Sequence, residues 1–214
     1  MSTAEILKTL AALAVGYLLG SLNTSVIVGK AYGKDIRQHG SHSGGLTNTL
    51  RVLGRSAAAL VLAGDVAKGV VACLVGLAFG VYAHSGGAHG GGAGACVSEL
   101  AAGAGAVLGH NWPVYFRFRG GKGMLTAAAV MFTIAWPMTL ICLALFVAIV
   151  AATRYVSLAT ICAAVLFVGL TFVPAFEATA YFQAFAALLA VIIIFKHRAN
   201  IQRLLAGAEN RLSF

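Results

Sequence analysis

MLTAAAVMFTIAWPMTLICLALFVAIVAA, residues 124–152, carries no charge at all. A helix needs about 20 residues to cross a hydrocarbon core about 30 Å thick. The stretch is therefore either one long tilted helix or two short ones broken at Trp136-Pro137. Proline permits the break, because it removes a backbone donor and disfavours helix in the residue before it. Basic residues decide between the two. Lys30, Lys34, Arg37, Arg51 and Arg55 fall in one segment, Arg117, Arg119 and Lys122 in a second, and Lys196, Arg198, Arg203 and Arg211 in a third. Residues 82–98, with His84 and His89, hold no lysine or arginine. The positive-inside rule puts the three basic segments in the cytoplasm. A single helix over 124–152 would carry Arg154 and the C-terminal bases to the wrong face; two helices return them. Apolar runs near 6–29, 57–81, 95–109, 124–136, 138–153, 156–173 and 178–195 then give seven short transmembrane helices, N-terminus outside and C-terminus cytoplasmic.

Composition agrees with an all-α polytopic integral membrane protein. The 214 residues are 60% hydrophobic and only 10% charged, against roughly 25% charged in soluble domains. The length suits one transmembrane domain, residues 1–214. Glycine, at 26 residues, suits helices whose backbones approach closely. Residues 1–20 read as a retained first span, since Glu5 precedes the apolar run and no clean cleavage pattern follows. Cys73, Cys96, Cys142 and Cys162 are scattered without metal-ligand spacing, so they read as small buried hydrophobes. The net charge of +9 is confined to short segments between spans, and no aromatic-basic RNA motif accompanies it, which argues against nucleic acid. Anionic lipid and a phosphate-bearing substrate are the partners that charge suits.

The basic segments share a chemistry. In the first, HGSHSGGLTN (39–48) sets Ser41, Ser43, Thr47 and Asn48 among glycines, with Arg51 one turn on. Such loops can turn successive N–H groups toward an anion. In the second, Arg119-Gly120-Gly121-Lys122-Gly123 ends where an apolar helix begins, and a helix N-terminus attracts anions. GxxxxGK[ST] is absent, so nucleotide hydrolysis is not implied. Arg117, Arg119 and the alternating Tyr115, Phe116 and Phe118 read as an interfacial belt. In the third, His197, Asn200 and Ile201 share a helical face. Asp65 and Lys68 lie one turn apart inside a span, Lys68 being a candidate phosphate contact with Asp65 its partner. Arg154, Tyr155 and Ser157 mark a turn.

In order along nearly the whole chain, GSLN (20–23), GK (29–30), GKDIRQHGS (33–41), TN (47–48), RVLG (51–54), DVAKG (65–69), GHNWPVYFRFRGGKG (109–123), RYVS (154–157) and HRANIQRLLAGAENRL (197–212) resemble the bacterial membrane acyl-phosphate:glycerol-3-phosphate acyltransferase family. The resemblance implies transfer of a fatty acyl group from acyl phosphate to the carbon-1 hydroxyl of glycerol 3-phosphate, at the cytoplasmic face of the inner membrane, in the first step of phospholipid synthesis. It implies that Ser41 and Arg51 hold the acyl phosphate with Thr47 and Asn48 shaping that pocket. Gly120, Gly121, Lys122 and Gly123 would form a phosphate loop. His197, Arg198 and Asn200 would bind glycerol phosphate, with Ser157 and Lys68 as lesser contacts. No cofactor or metal is implied, and a functional link to the enzyme that makes acyl phosphate is. The chain departs from the family at His42-Ser43, where Gly-Asn is usual, and at Asn23, where proline is usual. HxxxxD, the mark of acyl-CoA-using acyltransferases, is absent. A transporter of phosphate or an organic anion is the alternative, but its bases should lie near the membrane midplane rather than at one face.

Overall fold

A computed structural model describes residues 1–82 and 96–212; His84 and His89 lie outside them. Among the described residues every regular element is helical: α1 (Thr3–Ser21), α2 (Thr24–Ala31), α3 (Leu46–Leu53), α4 (Arg55–Phe79), α5 (Val97–Asn111), α6 (Met124–Thr153), α7 (Val156–Leu170), α8 (Ala180–Lys196) and α9 (Arg198–Leu205). They form two compact units, residues 1–82 with 96–133, and residues 134–212.

In the first unit α1 lies against α5, and glycine makes this possible. A methyl group at Gly16 or Gly20 would overlap the backbone of Ala102 or Ala106, and one at Gly105 or Gly109 would overlap the carbonyl of Leu13 or Tyr17. Two small-xxx-small faces, GYLLG (16–20) and GAVLG (105–109), thus meet backbone to backbone, where dispersion and close approach supply the attraction. Ser2 and Glu5 begin α1 with a capping box, the Ser2 N–H donating to Glu5 Oε2 at 2.7 Å. Asn23 separates α1 from α2 and caps the latter, its Oδ1 accepting from the Val26 N–H at 3.1 Å. The short α3 rests Leu46 and Leu53 on Val28, Ala57 and Val61.

The uncharged stretch forms α6, whose backbone leaves helical geometry at Ala135 (φ −145°, ψ 60°), two residues before Pro137. α1 with α2, α4 and α6 are long and apolar enough to cross a membrane, while α7 is shorter. In the second unit α8 bends by 59° into α9. His197 sits at that bend, as the residue between the two helices, and not within one continuous helical face as its spacing to Asn200 suggests. The apolar run stops at Lys196, and the polar octapeptide beyond it takes its own direction.

Candidate active site

The first basic loop is organised around one amide. Asn48 is buried, and its Nδ2 donates to the carbonyls of Ile36, His39 and Ser43, each at 3.0 Å. Its Oδ1 accepts from the Ser41 N–H at 2.8 Å. The expectation for Asn48 therefore resolves into a framework role: its polar atoms shape the loop from within. The side chains of Ser41, Thr47 and Arg51 make no hydrogen bond or ion pair to other described residues; Arg51 is exposed on α3. Ser41 and Thr47 are half-buried.

A second clasp joins this loop to the segment before α6. Arg37 is held by Asp35 through Nε at 2.9 Å and Nη2 at 2.8 Å, while its Nη1 donates to the carbonyls of Phe116 and Arg119, both at 3.1 Å. The guanidinium holds the Asp35 carboxyl down at about 2, against the opposing effect of partial burial. Further on, the Gly44 N–H donates to the Gly120 carbonyl at 3.4 Å. The two glycine-bearing loops thus lie side by side.

Glycine is required in the second loop for space. A side chain at Gly120 would overlap the His110 carbonyl, and one at Gly121 would overlap the His110 ring and the Gly44 carbonyl. At Gly123 φ is +76°, and a Cβ would also come within 2.7 Å of the Asn111 amide. Lys122, half-buried, is carried between them at the start of α6.

Beneath this loop lies a buried polar group. Lys68 Nζ is 2.8 Å from Asp65 Oδ1, 2.9 Å from His110 Nδ1 and 3.3 Å from the Leu22 carbonyl. The Lys68 and Asp65 side chains are 5% and 1% exposed. The expected ion pair with Asp65 is present, and the ammonium, which has three donors, has three protein acceptors within reach.

The second unit assembles the remaining candidates around a residue that sequence reading passed over. Glu209 Oε1 accepts from Asn200 Nδ2 at 2.7 Å and from Ser157 Oγ at 3.1 Å, while its Oε2 pairs with Arg203 Nε at 2.8 Å. Its side chain is 6% exposed, a burial that a carboxylate tolerates when so fully partnered. Ser157 and Asn200 are therefore brought together, 43 positions apart in the sequence. His197 is also buried, and its Nδ1 lies 2.8 Å from the Ile193 carbonyl. A carbonyl only accepts, so Nδ1 bears a proton and donates it. Arg198 is exposed and rests its guanidinium on the Phe195 ring, 4.6 Å from the centroid. The chain end folds back on α7, with the Leu212 N–H donating to the Arg154 carbonyl at 2.9 Å and Arg211 over the Tyr155 ring.

Residues 10–207 match the family described as glycerol-3-phosphate acyltransferase. A relative with that name from Thermoanaerobacter pseudethanolicus is 44% identical over 92% of each chain, and one from Shouchella clausii is 41% identical over 97% of each. The chain belongs to the glycerol-3-phosphate acyltransferase family. Its structure also resembles the crystal structure of PlsY (YgiH), an integral membrane glycerol 3-phosphate acyltransferase, in the glycerol 3-phosphate form, with a TM-score of 0.83 and 33% identity over 96% of each chain. The lysophosphatidic acid form of the same enzyme gives 0.81 and 32%.

In this membrane acyltransferase, four residues outside the sequence-derived candidates hold the segments that carry them: Asn23, Arg37 and His110 in the first unit, and Glu209 in the second. Asn23, at a position where proline is usual, is fully buried and reaches the Gly44 carbonyl at 3.3 Å and the His110 carbonyl at 3.4 Å. Asn23 and His110 are buried and the Glu209 side chain is 6% exposed, while Arg37 is only partly covered.

Proposed function

We propose that this acyltransferase moves a fatty acyl group from acyl phosphate to the carbon-1 hydroxyl of glycerol 3-phosphate, giving lysophosphatidic acid and phosphate. The observation that carries this reading is the placement of two loops, Ser41–Arg51 and Gly120–Gly123, side by side at Gly44–Gly120. One presents hydroxyls and a guanidinium; the other presents a lysine at a helix N-terminus. Both surfaces suit phosphate. Ser41 and Arg51 hold the acyl phosphate, with Thr47 beside them and Asn48 fixing their loop. Gly120, Gly121 and Gly123 shape a phosphate loop around Lys122. His197, Arg198 and Asn200 bind glycerol phosphate, with Ser157 steadied on the same carboxylate as Asn200.

The hydroxyl oxygen attacks the acyl carbonyl carbon; a carbon–oxygen bond forms and the bond to the phosphate oxygen breaks. Phosphate departs with the electron pair, and one of its oxygens takes the hydroxyl proton. The donor is already activated, so the protein's task is to hold two anions in register and to balance charge growing on the carbonyl and leaving oxygens. Cations and backbone donors suffice for that, without a covalent intermediate.

The whole chain acts as one domain of seven short spans in the bacterial inner membrane, with the N-terminus outside and the loops at the cytoplasmic face. There it draws acyl phosphate from the enzyme that makes it. The decisive experiment supplies purified protein with glycerol 3-phosphate and either acyl phosphate or acyl-CoA. Lysophosphatidate should form with the first donor and not with the second; efficient turnover with acyl-CoA alone overturns the reading.

A further inference from the structure

Lys68 is deeply enclosed, and its three donors are spent in a telling way. Asp65 takes one, the Leu22 carbonyl another, and His110 Nδ1 the third, at 2.9 Å. An ammonium cannot accept, so Nδ1 must, and the neutral ring then bears its proton on Nε2. His110 is itself 3% exposed, and its Nδ1 also lies 3.6 Å from Asp65 Oδ1.

The other edge of that ring meets the glycine loop. A Cβ at Gly121 would overlap His110 Nε2, and the Gly121 N–H donates to the His110 carbonyl at 3.1 Å. The same carbonyl also receives Asn23 Nδ2. His110 is therefore gripped on one edge by the buried pair and pressed against the loop with the other. We propose that His110, locked in one orientation and one tautomer by Lys68 and Asp65, is a positioning residue that sets the loop conformation in which Gly121, Lys122 and Gly123 receive a substrate phosphate.

The inference rests on reading residues 120–123 as a phosphate loop, and its test separates the two. His110→Gln keeps an amide near the Nε2 position but offers Lys68 no acceptor at the Nδ1 position. Asp65→Asn with Lys68→Met removes the buried pair together and leaves no lone charge. Each should raise the KM for a phosphate substrate and the inhibition constant of inorganic phosphate about tenfold, with kcat far less affected. Combined, they should give no further loss, because both break the same link. Additive losses, or unchanged KM in both, overturn the proposal. Lys122→Ala is the control: if it too leaves both constants unchanged, the phosphate-loop reading falls and takes the proposal with it. If Lys122→Ala raises them and the other two variants do not, the proposal alone falls. Nitrogen-15 spectra of histidine-labelled wild-type protein, assigned by difference from His110→Gln or His110→Asn, add a readout that does not depend on kinetics. His110 should show a bare Nδ1 and a protonated Nε2; an imidazolium or the opposite tautomer overturns it.

Discussion

His42 adopts φ +56° at a position where the family usually has glycine. For an L-residue that conformation is uncommon, and a β-branched side chain tolerates it worst. The substitution is accommodated because the ring lies exposed, with Nδ1 3.3 Å from the Arg37 carbonyl. His42→Gly should therefore stay within about 1 kcal/mol of the parent in thermal unfolding and keep its activity. His42→Val should be less stable than His42→Gly by roughly 1–2 kcal/mol. Equal stabilities would mean that the backbone there is relaxed. At His197 the question is binding against proton transfer. Its Nδ1 proton is engaged with Ile193, and the departing phosphate can take the hydroxyl proton itself. His197→Gln preserves a neutral hydrogen-bonding group but no base. Steady-state kinetics should show a large rise in the KM for glycerol 3-phosphate with measurable kcat at saturation; a kcat loss beyond about a thousandfold at unchanged KM would assign the base role to His197.

Among the elements, the contact of α1 with α5 has the least tolerance. Gly105 admits no side chain, since even a Cβ would lie 2.7 Å from the Tyr17 nitrogen and overlap the Leu13 carbonyl. Gly169 in α7, with nothing within 4 Å of an added Cβ, is the natural comparison. Gly105→Leu should lose more than about 2 kcal/mol of stability or fail to give monodisperse protein in detergent, whereas Gly169→Leu should behave as the parent. If both behave alike, close helix approach is not what holds this pair. The break in α6 was legible because proline leaves a mark that composition cannot hide. The register of α1 on α5 was not, because glycine abundance says that helices approach closely but not which faces meet.

For the whole molecule, the central expectation is the side on which the loops stand. Cysteines placed at Ser43 and Ala208, in a chain whose own four are replaced, should react only with reagent supplied from the cytoplasmic side, and one at Ala178 only from outside. Labelling of Ala208 from outside would remove the seven-span arrangement. Helical class and membrane character could be read from apolar runs and charge placement. Lys68 and Glu209 could not. Spacing reveals that Lys68 can pair with Asp65, but three acceptors from α4, α5 and the turn after α1 around one ammonium are a property of packing. Glu209 looks like a solvated charge near a chain end until Asn200, Ser157 and Arg203 are seen to converge on it.

The glycine faces of α1 and α5 also bear on how the protein is made. Gly16 and the Ala102 backbone it needs are separated in the chain by three further helices, α2, α3 and α4. During synthesis α1 therefore emerges long before its partner exists. Its seam of bare backbone must be lined by lipid, or by the insertion machinery, until α5 arrives to displace the occupant. Assembly of the first unit is thus a delayed closure, timed by the ribosome rather than by the strength of either helix alone.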